Sequence, residues 1–199
     1  MSSDVELLEG WRAGDNASGS ELFRRYFDSL YRFFVTKLPD EAEDLIQSTW
    51  MACVRYAENV AAATSFRAYL FTMARNELCR VLRERKPSDR VDFGVTSLQD
   101  LSPSPRTAAA AGEEERALLG ALRTLPLDLQ LLLELHYWEE LSTAELAGVL
   151  EIPQGTVKTR IRRARELLES ALASGHRALS GDELDEWVRS MRRRSPVQA

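Results

Sequence analysis

Only two cysteines and two histidines occur among the 199 residues. Cys53 and Cys79 each sit in a helical pattern among apolar neighbours, and neither is spaced with His136 or His176 as metal ligands would be. They read as buried or idle thiols. A glycine-rich phosphate loop, a nucleophile elbow and a convergent pair of carboxylates are all missing. The expectation is therefore a protein that is not an enzyme and carries neither metal nor cofactor. Apolar runs stop well short of the roughly 20 residues that a membrane-spanning helix needs. The opening MSSDVELLEG is acidic and lacks a signal-peptide core, so a cytoplasmic protein is expected. The period-two alternation that marks strands is nearly absent as well.

What remains is helix. Apolar residues recur at three- and four-residue spacings almost everywhere, which predicts an all-α protein. Helices are expected at 5–13, 19–37, 41–58, 66–85, 113–124, 126–138, 143–150 and 154–173, with a short last one at 181–193. Ser3 with Glu6, Asp40 with Glu43, Ser142 with Glu145 and Ser180 with Glu183 have the spacing of capping boxes. Pro39 and Pro126 suit helix starts. Between the two groups of helices, Pro87, Pro103, Pro105, serines and glycines interrupt any period, a composition that describes a tether. The expected organisation is thus two small helical domains joined by a flexible linker, at 1–86 and 113–174, with the linker at 87–112 and an extension at 175–199. Phe93, Leu98 and Leu101 in the linker are expected to touch a surface.

The net charge of −5 argues against a general nucleic-acid coat. Positive charge is instead focused: within 113–174, five of seven Lys and Arg fall in 158–165. The stretch LSTAELAGVLEIPQGTVKTRIRRARELLE has the layout of a helix-turn-helix, with a short capped helix, a tight turn at Pro153 and a longer second helix. At about 100° per residue, Val157, Ile161, Ala164 and Leu168 share an inner face, while Thr159, Arg162, Arg163 and Glu166 point away, with Thr156 and Lys158 on the flanks. Arginine and threonine on such a face suit base edges, and lysine suits phosphates. Gln154 and Thr156 bring free amides at the helix start. The bland alternative is a solvated basic face.

The segment from Leu125-Pro126 through Glu145-Leu146-Ala147 to Gly155-Thr156-Val157-Lys158 and Arg163-Ala164-Arg165 resembles region four of bacterial sigma factors, especially the extracytoplasmic-function type. The first half supplies a second match in the right order. Asp44-Leu45-Ile46-Gln47 resembles the region-two signature of that family, followed by Ala74-Arg75-Asn76 on the next helix.

The resemblance implies a sigma factor that binds core RNA polymerase and directs promoter-specific initiation. Asp44, Leu45 and Gln47 would then dock on polymerase; Asn59, Arg75, Asn76 and Arg83 would hold the melted minus-ten element; Gln154, Thr156, Lys158, Thr159, Arg162 and Arg163 would read the minus-thirty-five duplex. Promoter DNA, duplex and single-stranded, and an anti-sigma factor are the further partners it implies. Departures from the family pattern are Tyr69 for tryptophan before Leu70, Trp50 for phenylalanine, and Arg80 where an acidic residue is common. The rival is a helix-turn-helix regulator that acts without polymerase. Leu179, Leu184, Trp187, Val188 and Met191 form an amphipathic pattern beyond the match, read either as a helix packing on the second domain or as a regulatory extension.

Overall fold

The computed structural model describes residues 2–58, 65–85, 91–101, 112–175 and 181–191. Among them lie ten α-helices: α1 (Asp4–Arg12), α2 (Asn16–Val35), α3 (Ala42–Arg55), α4 (Phe66–Arg85), α5 (Leu98–Leu101), α6 (Glu113–Thr124), α7 (Leu127–Tyr137), α8 (Thr143–Leu150), α9 (Gln154–Gly175) and α10 (Gly181–Met191). The only pairing of extended type among the described residues is an isolated bridge between Ser97 and Pro126.

Local chemistry accounts for most helix ends. Ser3 and Glu6 satisfy each other's backbone amides at the start of α1, and Ser142 and Glu145 do the same for α8. The box expected at Asp40 and Glu43 does not form. Pro39, with its fixed φ, opens a 3-10 turn over Pro39–Glu41 that absorbs Asp40, so α3 begins at Ala42 behind Glu41, which makes no side-chain cap. Asp15, not anticipated, caps α2 by accepting from the amides of Ala17 and Ser18. Ser180 and Leu179 lie outside the described residues.

In the first domain α1 to α4 enclose Leu8, Leu22, Leu30, Phe34, Cys53, Leu70, Phe71 and Leu78, all fully buried. Helix α1 crosses α2 closely at Gly19, where an added Cβ would come within 2.6 Å of the Trp11 ring. Phe66, Tyr69 and Phe71 are core, as their helical spacing allows, and the Tyr69 hydroxyl donates to the Cys53 carbonyl at 2.9 Å.

The second domain gathers Leu118, Leu122, Leu133, Ala164 and Leu168, and α10 closes this cluster with Leu184 and Val188. The Trp138 indole donates to the Val188 carbonyl at 2.9 Å, and the Tyr137 hydroxyl donates to Asp185 at 2.6 Å. Within the extension, α10 therefore packs on the second domain.

Phe93, Leu98 and Leu101 of the linker are buried, as expected. The amides of Leu127 and Asp128 donate to the carbonyls of Thr96 and Phe93, both at 3.0 Å. The two domains also meet directly, which the sequence did not indicate. One buried cluster runs from Phe33, Phe34 and Phe71 to Leu127, Leu131, Leu135, Leu146 and Val149.

Candidate functional site

The start of α9 is set by the turn before it. Helix α8 ends at Leu150 and is capped by Glu151, whose backbone is left-handed at φ 54° and whose amide donates to the carbonyls of Ala147 and Gly148. The chain then restarts at Gln154, whose side chain donates to the Thr143 hydroxyl at 3.3 Å across the turn. Val157, Ala164 and Leu168 are fully buried, which fixes the rotation of α9. Gln154, Lys158, Thr159, Arg162 and Arg163 are exposed and Thr156 is half-buried on the same side. Arg162 and Arg163 keep 77% and 62% of their side-chain surface and reach Glu166 only at 3.9 and 3.7 Å. Such pairs are worth little and yield readily to a stronger anion. Arg165 is held instead by Asp185 of α10 at 3.0 Å, and Arg160 is half-buried, so these two belong to the packed flank.

On α3, Asp44 and Gln47 are exposed on one face. Leu45 is 2% exposed and belongs to the core. It anchors the helix and cannot itself face a partner, a correction that follows from the three-to-four-residue period placing it a third of a turn from its neighbours. Beside Gln47 opens an apolar groove of about 450 Å³ lined by Trp11, Phe23, Phe27, Trp50 and Met51. Phe23 and Met51 remain 44% and 56% exposed, unusual for such side chains. These two were missed in the sequence, where their only signal is an apolar residue on the polar side of an amphipathic helix.

On α4, Asn76 is exposed, and the Arg83 guanidinium lies 4.9 Å from the centre of the Phe93 ring. Arg80 is occupied by Glu77 and Glu84 of its own helix. Arg75 is different: its side chain is only 12% exposed and faces Asp128 at 3.5 Å and Glu151 at 3.4 Å, both from the second domain. Asn59 lies outside the described residues. The predicted residues thus fall on three separate surfaces and do not converge on one pocket.

A polar seam joins the domains. Lys37, fully buried, pairs with buried Glu134, which also accepts from Gln130 at 2.8 Å. Burial pushes the Lys37 ammonium below its ordinary pKa against the pull of Glu134. Arg32 meets Glu139 at 3.0 Å, Arg67 donates to the Glu139 carbonyl at 2.9 Å, and the Ser65 hydroxyl donates to Glu145. Burial raises the Glu145 pKa, but hydrogen bonds from Ser65 and Ser142 outweigh it and leave the carboxyl below its usual value. Among the described residues no cluster of three or more His, Cys, Asp and Glu is placed to hold a metal, and no helix is long and apolar enough to cross a membrane.

Two helical domains, one carrying an exposed basic helix behind a tight turn and the other a helix with an exposed polar face beside an apolar groove, define a bipartite helix-turn-helix protein. The sigma-70 region 2 family matches residues 22–87 and the sigma-70 region 4 family matches 115–168. The RNA polymerase sigma-H factor of Pseudomonas aeruginosa is 31% identical over 181 residues, which span 85% of this chain and 93% of that protein. The ECF RNA polymerase sigma factor SigW of Bacillus subtilis is 27% identical over 172 residues, spanning 81% and 92%. The solved sigma factor RpoE of Bartonella quintana, in complex with the anti-sigma factor NepR, shares the fold with a TM-score of 0.59 at 24% identity, over 79% of this chain and 98% of that one. The chain belongs to the RNA polymerase sigma factors of the extracytoplasmic-function type, and is a DNA-binding transcription initiation factor.

Proposed function

We propose that the two domains divide promoter recognition at the residue level. Asp44 and Gln47 dock on core RNA polymerase, and the groove bounded by Phe23, Trp50 and Met51 receives an apolar side chain of the same polymerase surface. Asn59, Arg75, Asn76 and Arg83 hold the melted minus-ten strand; Gln154, Thr156, Lys158, Thr159, Arg162 and Arg163 read the minus-thirty-five duplex. The observation that carries this reading is the loosely paired, outward-facing couple Arg162 and Arg163 on a helix whose rotation is fixed by Val157, Ala164 and Leu168. Arginine there can donate two hydrogen bonds to guanine in the major groove. The chain works in the cytoplasm and supplies no covalent chemistry, which belongs to polymerase. An anti-sigma factor holds it inactive; the RpoE neighbour is found in complex with the anti-sigma factor NepR.

In vitro transcription with purified core polymerase on a promoter library tests the reading. Promoter-specific transcripts are expected, lost with Arg162→Ala and Arg163→Ala while polymerase binding survives, and lost together with binding in Asp44→Ala and Gln47→Ala. DNA binding in the absence of any polymerase association would instead identify a regulator acting alone.

A further inference from the structure

The extension brings a carboxylate to the flank of α9. Asp185 of α10 accepts from the Tyr137 hydroxyl at 2.6 Å and meets the Arg165 guanidinium at 3.0 Å, both on the same Oδ1. The helix that carries it is fastened independently. Leu184 and Val188 are buried in the second core, the Trp138 indole donates to the Val188 carbonyl, and the Arg189 guanidinium lies 5.3 Å from the centre of the Tyr137 ring. Apart from Arg189, every charge on 181–191 is negative, carried by Asp182, Glu183, Asp185 and Glu186. Arg165 follows Lys158 by seven residues, which places it about 20° further round α9 and about 10 Å along it. The two cations therefore stand on one flank of the helix.

A helix laid in the major groove reads base edges from its first turns, and cations further along its flanks meet the phosphates that line the groove. A carboxylate offers an arginine the same charge and the same hydrogen-bond acceptors as a phosphate does. Asp185 and the DNA backbone thus compete for one guanidinium. We infer that Arg165 is a further phosphate contact of the duplex-reading helix and that Asp185 withholds it, which sets how tightly the second domain grips DNA. Sequence preference is untouched, because phosphate contacts carry no sequence information. Arg165 and Asp185 keep 29% and 18% of their side-chain surface, so a phosphate can reach the pair. The inference rests on the reading of α9 as the helix that reads the minus-thirty-five duplex. Helix α10 begins at Gly181, beyond the region 4 match that ends at residue 168, so this control belongs to the extension and not to the matched domain.

Holoenzyme assembled with the full-length chain tests this by titration of a fluorescein-labelled promoter duplex, selected from the library, over a range of salt concentrations. Asp185→Asn keeps an oxygen for Tyr137 and removes the charge. It should tighten binding about tenfold at low salt, the strength of one charge-assisted hydrogen bond. The dependence of log Kobs on log salt should steepen by about 0.9, the signature of one added phosphate contact. Preference for this promoter over a duplex with a scrambled minus-thirty-five element should stay the same. Adding Arg165→Ala should abolish the gain in both affinity and slope. Glu186→Gln, which removes an exposed charge from the same helix, and Tyr137→Phe, which frees α10 of one hydrogen bond and spares the ion pair, should leave the slope as it is. Unchanged or weaker binding in Asp185→Asn overturns the inference, as does a gain that survives Arg165→Ala or an equal gain in either control. The pair Arg162→Ala and Arg163→Ala tests the reading of α9 separately. If that variant loses its preference for the minus-thirty-five element while Asp185→Asn brings no gain, the inference alone falls; a preference kept in that variant removes the reading of α9 itself.

Discussion

Leu45 and Gln47 lie two residues apart on α3 and face opposite ways, one into the core and one to solvent. Substitutions there should separate fold from function. Leu45→Ala is expected to cost about 2–5 kcal/mol of stability, read as a fall in the denaturation midpoint, with polymerase binding lost only as the protein unfolds. Gln47→Ala should leave the midpoint unchanged and weaken binding to core polymerase. The thiols divide along the same line of burial. Cys79 is pushed up to about 11 by burial and Cys53 is also raised, so neither forms thiolate at pH 8. Ellman's reagent should find both unreactive until denaturant is added; rapid reaction of either would contradict their burial. His136 runs in the opposite direction. Burial lowers its pKa from 6.5, so the folded chain resists the proton that the unfolded chain accepts. Stability contributed above pH 6.5 should be lost as the pH falls toward the lowered value, and His136→Gln should flatten that part of the pH profile.

Among the elements, the helices with strong local signals were legible from the sequence. Phe66–Arg85, Glu113–Thr124 and Thr143–Leu150 match their expected bounds, because apolar period and end signals agree there. The Asp40 cap failed because a proline one residue earlier favoured a tight turn, a competition that residue identities alone do not decide. The outward face of α9 followed from its period; the groove at Phe23 and Met51 did not, since it depends on how α1 and α3 lie against α2. Nor did the pairing of Arg75 with Asp128 and Glu151, residues far away along the chain. Helix α10 extends this point, for it lies beyond both family matches yet supplies Leu184 and Val188 to the second core. Leu184→Ala should destabilise the second domain by about 2–5 kcal/mol and weaken duplex recognition through α9, with polymerase docking by the first domain intact. Equal loss of both would show that the domains unfold as one unit.

At the scale of the molecule, the linker decides what the two domains can reach. Its residues 87–112 span at most about 90 Å when fully extended, barely the separation of the promoter elements. Part of that length is held: the carbonyls of Phe93 and Thr96 accept from Asp128 and Leu127, and Phe93, Leu98 and Leu101 are buried. Opening across a promoter should release these bonds. The Leu127 and Asp128 amides should therefore exchange hydrogen faster in the promoter-bound holoenzyme than in the free chain. Unchanged protection would mean that Phe93 and Thr96 stay attached to the second domain in the open complex.

Glu151 carries a cost that glycine would avoid, since a side chain in the left-handed region is unfavourable by about 1–2 kcal/mol. The same residue is the mostly exposed partner of Arg75. Thermostability and restraint are thus in opposition at one position. A search for heat-resistant variants should recover Glu151→Gly, and what it recovers would melt later yet leave Arg75 with one acidic partner fewer.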